Sequence, residues 1–405
     1  MQSLFMLIIC IIAILVIVIA MIRTRLKNKS RQMLKLRLSI LLALMLAFYD
    51  ISARVPGVSD NCVLLRSLVF GGPDSVSKFY RIPALAISSD GAIVAVADRR
   101  RDSEGDLPGN IDVVCRRSTD GGQNWSPAIT IAACDENGGY GDPALGVDRR
   151  SGDLVCVFTH GNGLWNSTPD NHAYIYSCRS SDGGLSWSQP ADITPSLFDW
   201  YGKAPVKAVT AFASSGGILT CSDGTMWFCL IAKPEQEKWG RLQVYAVRST
   251  DGGHSWQIMP QPVDEDGDES KIVQLADGSL LMSIRNRRQG WRKFARSTDG
   301  GHSWSKPEFS ATLPDPAING DILMLTDGRL LHSICDSNSE RSNVSVFVGD
   351  RRGDNWEKVF EVCPAPSSYS AMVLMPDGRL GILSEELSAQ HGLHLWFTQV
   401  NISAW

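Results

Sequence analysis

The sequence predicts an all-β fold, a six-bladed β-propeller of four-stranded antiparallel blades, and two interleaved repeats carry that prediction. The first is the pattern S-x-D-G-G-x-x-W, present at Ser118–Trp125, Ser180–Trp187, Ser249–Trp256 and Ser297–Trp304. A worn copy at Gly349–Trp356 keeps only the last glycine and the tryptophan, and successive starts lie 62, 69, 48 and 52 residues apart. The second repeat is out of phase with the first: Asp90-Gly91, Gly152-Asp153, Asp223-Gly224, Asp277-Gly278, Asp327-Gly328 and Asp377-Gly378. Most of these lead into an apolar, β-rich run such as Leu154–Phe158, Ser279–Ile284 or Leu380–Leu383. Six such units, each holding more than one short strand, are what a radial array of small sheets requires. From residue 60 onward no helical period of any length interrupts them.

Each box reads as a strand-connecting turn. Its Asp carboxylate is expected to accept hydrogen bonds from N–H groups one or two residues on, and the paired glycines supply positive φ. The tryptophan is large enough to pack beneath the turn. Asp120, Asp182, Asp251 and Asp299 are therefore structural and belong on the face away from any active site. His254 and His302 occupy a variable slot of the box and should be exposed.

Of the 405 residues, 44% are hydrophobic and 20% charged, with a formal net charge of −4. That charge is too mild to point to nucleic acid or a charged membrane surface as a partner. The N-terminus differs from the rest. Phe5–Ile22 is an unbroken apolar run of 18 residues, long enough to span a bilayer. Seven basic residues follow in Arg23–Arg37, then the apolar stretch Ile40–Phe48. Residues 1–53 thus read as a leader in one of two ways. One is a membrane anchor and linker. The other, preferred, is a signal peptide starting at Met33, with Lys35 and Arg37 as its basic region, an apolar core ending at Phe48 and cleavage near Ala53. Both readings export the chain to the periplasm, cell surface or medium. Residues 54–405 then form the propeller, with about 59 residues per blade, the size of a lone monomeric propeller without an inserted domain.

Nine of the ten cysteines fall in this globular part, an odd number that leaves at least one unpaired. Cys115, Cys156, Cys178, Cys221, Cys229 and Cys335 sit in strand-like contexts and read as small buried thiols. There is no C-x-x-C, and no histidine clusters with the cysteines, so neither a metal nor a cofactor is expected.

A propeller alone carries no function; the polar residues that interrupt its strands do. Arg81 lies inside the apolar run Phe79–Leu85, Arg285 ends the run Leu280–Ile284, and Arg341 precedes Val344–Val348. Guanidinium groups from three blades can converge only at the central axis, where they suit an anionic ligand, most naturally a carboxylate.

The triplet Arg81-Ile82-Pro83, the four boxes, Glu269 ahead of Asp277-Gly278 and Arg285, and Tyr369-Ser370 ahead of Asp377-Gly378 together resemble a sialidase (exo-α-neuraminidase) of the bacterial and animal type. The resemblance covers residues from about 62 to the C-terminus. It implies that Arg81, Arg285 and Arg341 hold the carboxylate of a sialic acid, with Arg329, Arg351 and Arg352 as neighbours competing for the third place. It implies a nucleophile at Tyr369, its partner base at Glu269, and an acid/base residue at Asp106 on a loop where Asp102 and Glu104 are rivals. Glu385, with Glu386 as the alternative, would orient the first arginine. Arg100 would face the O4 or N-acetyl side of the ring, and Asp142 and Trp165 would complete the pocket.

The chemistry suits these residue types. Sialic acid carries a carboxylate on its anomeric carbon, so an anionic nucleophile would approach against like charge, whereas a phenol is neutral. With a reference pKa of about 10 a phenol needs a base to accept its proton. Tyrosine-nucleophile sialidases are an exception to the two-carboxylate scheme of glycosidases. Three outcomes follow from such a site: hydrolytic release of sialic acid from glycoproteins, glycolipids or oligosaccharides, transfer of the same covalent intermediate (trans- or anhydro-sialidase), or binding without chemistry.

Overall fold

The turn at Ser249–Trp256 shows how the box works. Ser249 Oγ donates to Asp251 Oδ1 at 2.7 Å and accepts the Gly253 N–H at 2.8 Å. The carboxylate accepts the Ser255 N–H at 2.9 Å and its hydroxyl at 2.6 Å. The acceptor role expected of the aspartate is thus real but reaches farther than the spacing suggested, to residues three and four along; in the first box Asp120 takes the N–H groups of Gln123 and Asn124. The serine, not the aspartate, satisfies the second glycine. In the worn copy Asp350 takes over, accepting from the N–H groups of Arg352, Asp354 and Asn355.

The second glycine also explains how the sheets pack. A Cβ at Gly122 would lie 2.3 Å from the Phe397 ring, and one at Gly301 would lie 2.3 Å from the Trp227 ring. Each turn therefore lies flush on a neighbouring sheet, where the absence of a side chain permits the contact. Trp125 completes one such join, meeting Phe397 edge-on at 5.5 Å, whereas Trp256 packs on Phe228 of its own sheet at 4.9 Å.

The computed structural model describes residues 62–71, 76–234, 240–388, 392–403 and 405. The anchor and signal-peptide readings of residues 1–53 lie outside the described residues. The described chain is all-β. One four-stranded sheet spans Phe79–Ala132 and another Glu308–Asp315 back to Gly267–Gln274. Two sheets have five strands, one of them gaining Gly216–Gly217 as a parallel strand against Ala144–Leu145. A seven-stranded sheet is held together by the long strand Trp356–Leu374, which pairs with Ser342–Gly349 through its first half and with Leu380–Ser388 through its second. Val63–Phe70 pairs antiparallel with Gly392–Val400, so the first described strand closes on the last.

The second repeat makes the hairpin between the innermost strand of each unit and the next, at Gly91, Gly152, Gly224, Gly278, Gly328 and Gly378. All six adopt φ between +81° and +87°. Register then fixes which end of the sheets holds the boxes. In the first sheet Arg81 pairs with Asp98, whereas Ile93, beside the hairpin turn, pairs with Ser118 of the box. Box turns and Arg81 thus sit at opposite strand ends. None of the nine described cysteines forms a disulfide, and seven of them, including the six read as buried thiols, are buried.

Candidate active site

Four inner strands are broken by a β-bulge, and a site residue sits at each. The irregularities fall between Arg81 and Ala84, Gly141 and Ala144, Gly267 and Ser270, and Ser367 and Ser370. They place Arg81, Asp142, Glu269 and Tyr369 where an extra residue re-aims the side chain. Two bulges carry a non-glycine residue in the left-handed region just before a proline, Ile82 at φ +60° and Asp142 at φ +57°. Such conformations are costly and persist where the surroundings dictate them.

Tyr369 is the point on which the charges converge. Its hydroxyl donates to Glu269 Oε2 at 2.5 Å and accepts from Arg285 Nη1 at 3.0 Å. Arg285 Nη1 also reaches Glu269 Oε2 at 2.5 Å. The guanidinium carbons of Arg81 and Arg341 lie 5.4 and 5.9 Å from the centre of the phenol ring. The three arginines singled out from the sequence therefore surround one phenol. Burial, together with the Glu269 charge, drives the Tyr369 hydroxyl well above its ordinary range despite the three guanidinium groups. It is held as a phenol whose proton already points at a base.

Glu385 is fully buried beneath this cluster. It accepts the Ile82 N–H at 2.7 Å, the Tyr369 N–H at 3.3 Å and Arg81 Nη2 at 3.3 Å. Burial acts to raise its pKa, but Arg81 and the two N–H groups outweigh that and hold the carboxyl below its usual value. One side chain thus ties the first arginine to the backbone of the tyrosine. Its rival Glu386 is engaged elsewhere, with Arg66 and Ser384. Of the alternatives to Arg341, Arg329 pairs with Asp327 on a hairpin turn, and Arg351 and Arg352 lie on the worn box turn at the other end. Arg341 donates to Ala317 O at 3.1 Å, and among the described residues no carboxylate pairs with it.

Asp106 stands at the mouth, with its side chain 75% exposed, 2.8 Å from Arg100 Nη1 and 3.9 Å from Arg81 Nη1. Asp102 and Glu104 are exposed in the same loop and do not line the cleft. Arg100 lies behind Asp106, almost wholly buried, with Nη2 2.9 Å from Asp98 Oδ2. Burial pushes Asp98 up to about 6 against the pull of Arg100. Asp142 donates its N–H to Asp98 Oδ1 at 3.1 Å. Burial, and then the nearby Asp98, Asp106 and Glu269 carboxylates, pushes Asp142 well above the usual range, favouring its protonated form. Trp165, on the short helix Gly163–Asn166, lines the same cleft and is 61% exposed. The cleft encloses about 280 Å³ between Arg81, Asp106, Asp142, Trp165, Glu269 and Tyr369.

A second cavity, of about 450 Å³, lies at the other end of the inner strands. It is lined mainly by apolar residues such as Leu85, Val147, Met324 and Leu374, and its charged lining residues are Arg149, Lys271 and Asp321.

The BNR repeat-like domain family matches residues 100–382. A sialidase from Micromonospora viridifaciens is 33% identical over 360 residues, covering 82% of this chain and 54% of that protein. The chain belongs to the sialidase family of the Asp-box type. It spans little more than half the length of that curated relative. Among solved structures, a Hadza microbial sialidase superposes with a TM-score of 0.74 at 23% identity, over 84% of this chain and 69% of the other. The intramolecular trans-sialidase of Ruminococcus gnavus gives a TM-score of 0.70 at 17% identity, over 85% and 99%. These two likenesses bear on the fold, which is that of the sialidase β-propellers.

Several residues of this sialidase-family site are absent from the sequence reading. Asp98 shares a strand face with Arg100 by simple alternation, a usable signal. Asp268, whose Oδ2 is 3.7 Å from Arg285 Nε, is hidden in the acidic run Asp264–Asp268. Ser215 and Asn319 contact Glu269 from connecting segments more than 45 residues away, and nothing local marks them.

Proposed function

We propose that this chain is a retaining exo-sialidase that hydrolyses terminal α-linked sialic acids from glycoproteins, glycolipids and oligosaccharides through a covalent sialyl-tyrosine intermediate. The observation that carries this reading is the Tyr369 hydroxyl, hydrogen-bonded to Glu269 and ringed by Arg81, Arg285 and Arg341. The three guanidinium groups grip the substrate carboxylate and hold the anomeric carbon over the phenol. Glu269 accepts the phenolic proton as the oxygen attacks, and Asp106 gives a proton to the departing glycosidic oxygen. In the second half Asp106 takes a proton from water, which attacks the same carbon, the tyrosine leaves and Glu269 returns its proton. Two displacements give net retention. Asp142 and Arg100 support the glycone side.

The same reading includes six four-stranded blades, with the seven-stranded sheet counted as two units sharing one strand. It also includes an exported, monomeric chain from about residue 54 and sialylated glycans as its partners. Trp165, largely exposed at the rim, favours a second reading, in which a bound sugar or an internal hydroxyl rather than water accepts the sialyl group. Product analysis on 3′- and 6′-sialyllactose distinguishes them: free sialic acid for hydrolysis, a transferred or anhydro product otherwise. Tyr369→Phe should lower turnover by at least about a thousandfold while leaving sialic acid binding largely intact. Near-wild-type turnover by that variant would remove Tyr369 from its role.

A further inference from the structure

Glu269 has two oxygens, and only one of them faces the tyrosine. Oε2 takes the Tyr369 hydroxyl and Arg285. Oε1 accepts Ser215 Oγ at 3.1 Å and Asn319 Nδ2 at 3.3 Å. A primary amide can point either way, and the wrong way would set its oxygen against a carboxylate. Lys271 removes that choice. Its Nζ, buried and able only to donate, is 2.7 Å from Asn319 Oδ1, so the NH₂ group must face Glu269.

The segment Ser214-Ser215-Gly216 is fitted to this arrangement residue by residue. Ser214 Oγ donates to Ser270 O and accepts Ser270 N–H, both at 2.8 Å. Ser215 Oγ reaches Glu269 and also accepts Asn319 Nδ2 at 2.9 Å. Gly216, at φ +103°, runs so close to Lys271 that a Cβ there would lie 2.6 Å from Lys271 Cε. Three consecutive residues thus serve three consecutive residues of the strand that bears Glu269. The titratable groups facing Glu269 are Tyr369, Arg285, Asp268, Asp142, Lys271 and Arg292; those facing Lys271 are Asp321, Glu269, Arg292 and Cys229.

We propose that Asn319, oriented by Lys271, is a positioning residue for the base Glu269, fixing which carboxylate oxygen meets the Tyr369 hydroxyl. This rests on the sialidase reading above, with Glu269 as base. The test uses the full chain, a sialyllactose substrate and a complete pH profile. Asn319→Ala should lower kcat about tenfold, the worth of one hydrogen bond to a charged group, with KM changed by less than about twofold. The acid limb of kcat/KM should move to higher pH, because a carboxylate that loses a donor holds its proton more tightly.

Lys271→Met should lower kcat in the wild-type background but add little to Asn319→Ala, since its effect passes through the amide. If Lys271→Met alone unfolds, as a melt would show, Lys271→Met/Asp321→Asn removes both buried charges and answers the same question. An Asn319→Ala enzyme with unchanged kcat and acid limb, or one altered in KM alone, overturns the proposal. So does full additivity of the two substitutions. Wild-type protein that releases no sialic acid would sink the enzymatic reading instead, and the two failures are therefore distinct.

Discussion

Gly163 offers a way to displace the proposed acid without touching it. A Cβ there would lie 2.3 Å from Leu107 O and 2.8 Å from Leu107 C, the residue after Asp106. Since an ordinary contact begins at 3.4 Å, Gly163→Ala forces the loop outward by about 1 Å, enough to cost on the order of a hundredfold where it misplaces a reacting group. Asp106 would then lose its 2.8 Å contact with Arg100. The φ of +64° at Gly163 adds roughly 1 kcal/mol of backbone strain for alanine, a stability cost that thermal unfolding measures separately. The assay compares two substrates. Sialyllactose departs as an alcohol that needs a proton, whereas an aryl sialoside departs as a stabilised phenolate that does not. The expected result is a loss of about a hundredfold in kcat/KM on sialyllactose and less than about tenfold on the aryl sialoside. Equal losses on both, or no loss in a folded protein, would refute the assignment of Asp106 as proton donor on a seated loop.

Other expectations follow from the same contacts. Glu385→Gln leaves Arg81 without its buried counter-charge, so KM for a sialoside should rise by about tenfold, with a loss of stability of a few kcal/mol in urea; unchanged kinetics would mean that Arg81 is held by other contacts. Arg341→Lys keeps the charge but loses the planar fork, and should raise KM about tenfold with little change in kcat. Acid unfolding should report the box turns. The carboxyl groups of Asp120, Asp182, Asp251 and Asp299 are each held down to about 2, by backbone and serine or asparagine donors that in Asp251 must first overcome burial. Folded values below the unfolded value of 3.8 mean that this stabilisation is complete above about pH 4 and is lost as the pH falls towards 2. Asp251→Asn should flatten the dependence of the urea midpoint on pH in that window, and an unchanged slope would show that the box carboxylates do not contribute.

The scaffold was legible because its determinants are local. A box needs a serine, an aspartate and two glycines close together, and the hydrogen bonds and positive φ angles that close its turn stay within the box, as Ser249, Asp251, Gly252 and Gly253 show. Within the box turns, only the offset of the accepted N–H groups differed from expectation. The three arginines were legible from the apolar runs they interrupt or border, whereas the tyrosine and glutamates were legible only through resemblance, since nothing in their own neighbourhoods distinguishes Tyr369 from a packed loop aromatic or Glu269 from the tail of an acidic run.

What stayed hidden depends on register across distant strands. Glu269 and Arg285 meet because a bulge between Gly267 and Ser270 offsets the pairing with Asn286 and Ile284; a regular ladder would send one of them to the other face. Ile82 and Asp142 share a rarer device, a positive φ immediately before a proline, and in both the chain rejoins the ladder just after that proline, at Ala84 and Ala144. The backbone of each bulge is held by a carboxylate from elsewhere, Glu385 on Ile82 N–H and Asp98 on Asp142 N–H. The strain is thus stabilised by groups that themselves carry or neutralise the site's charge. The acids beneath the site therefore have two roles, turning the strand and setting the charge of the arginine or acid above, and replacing one alters both.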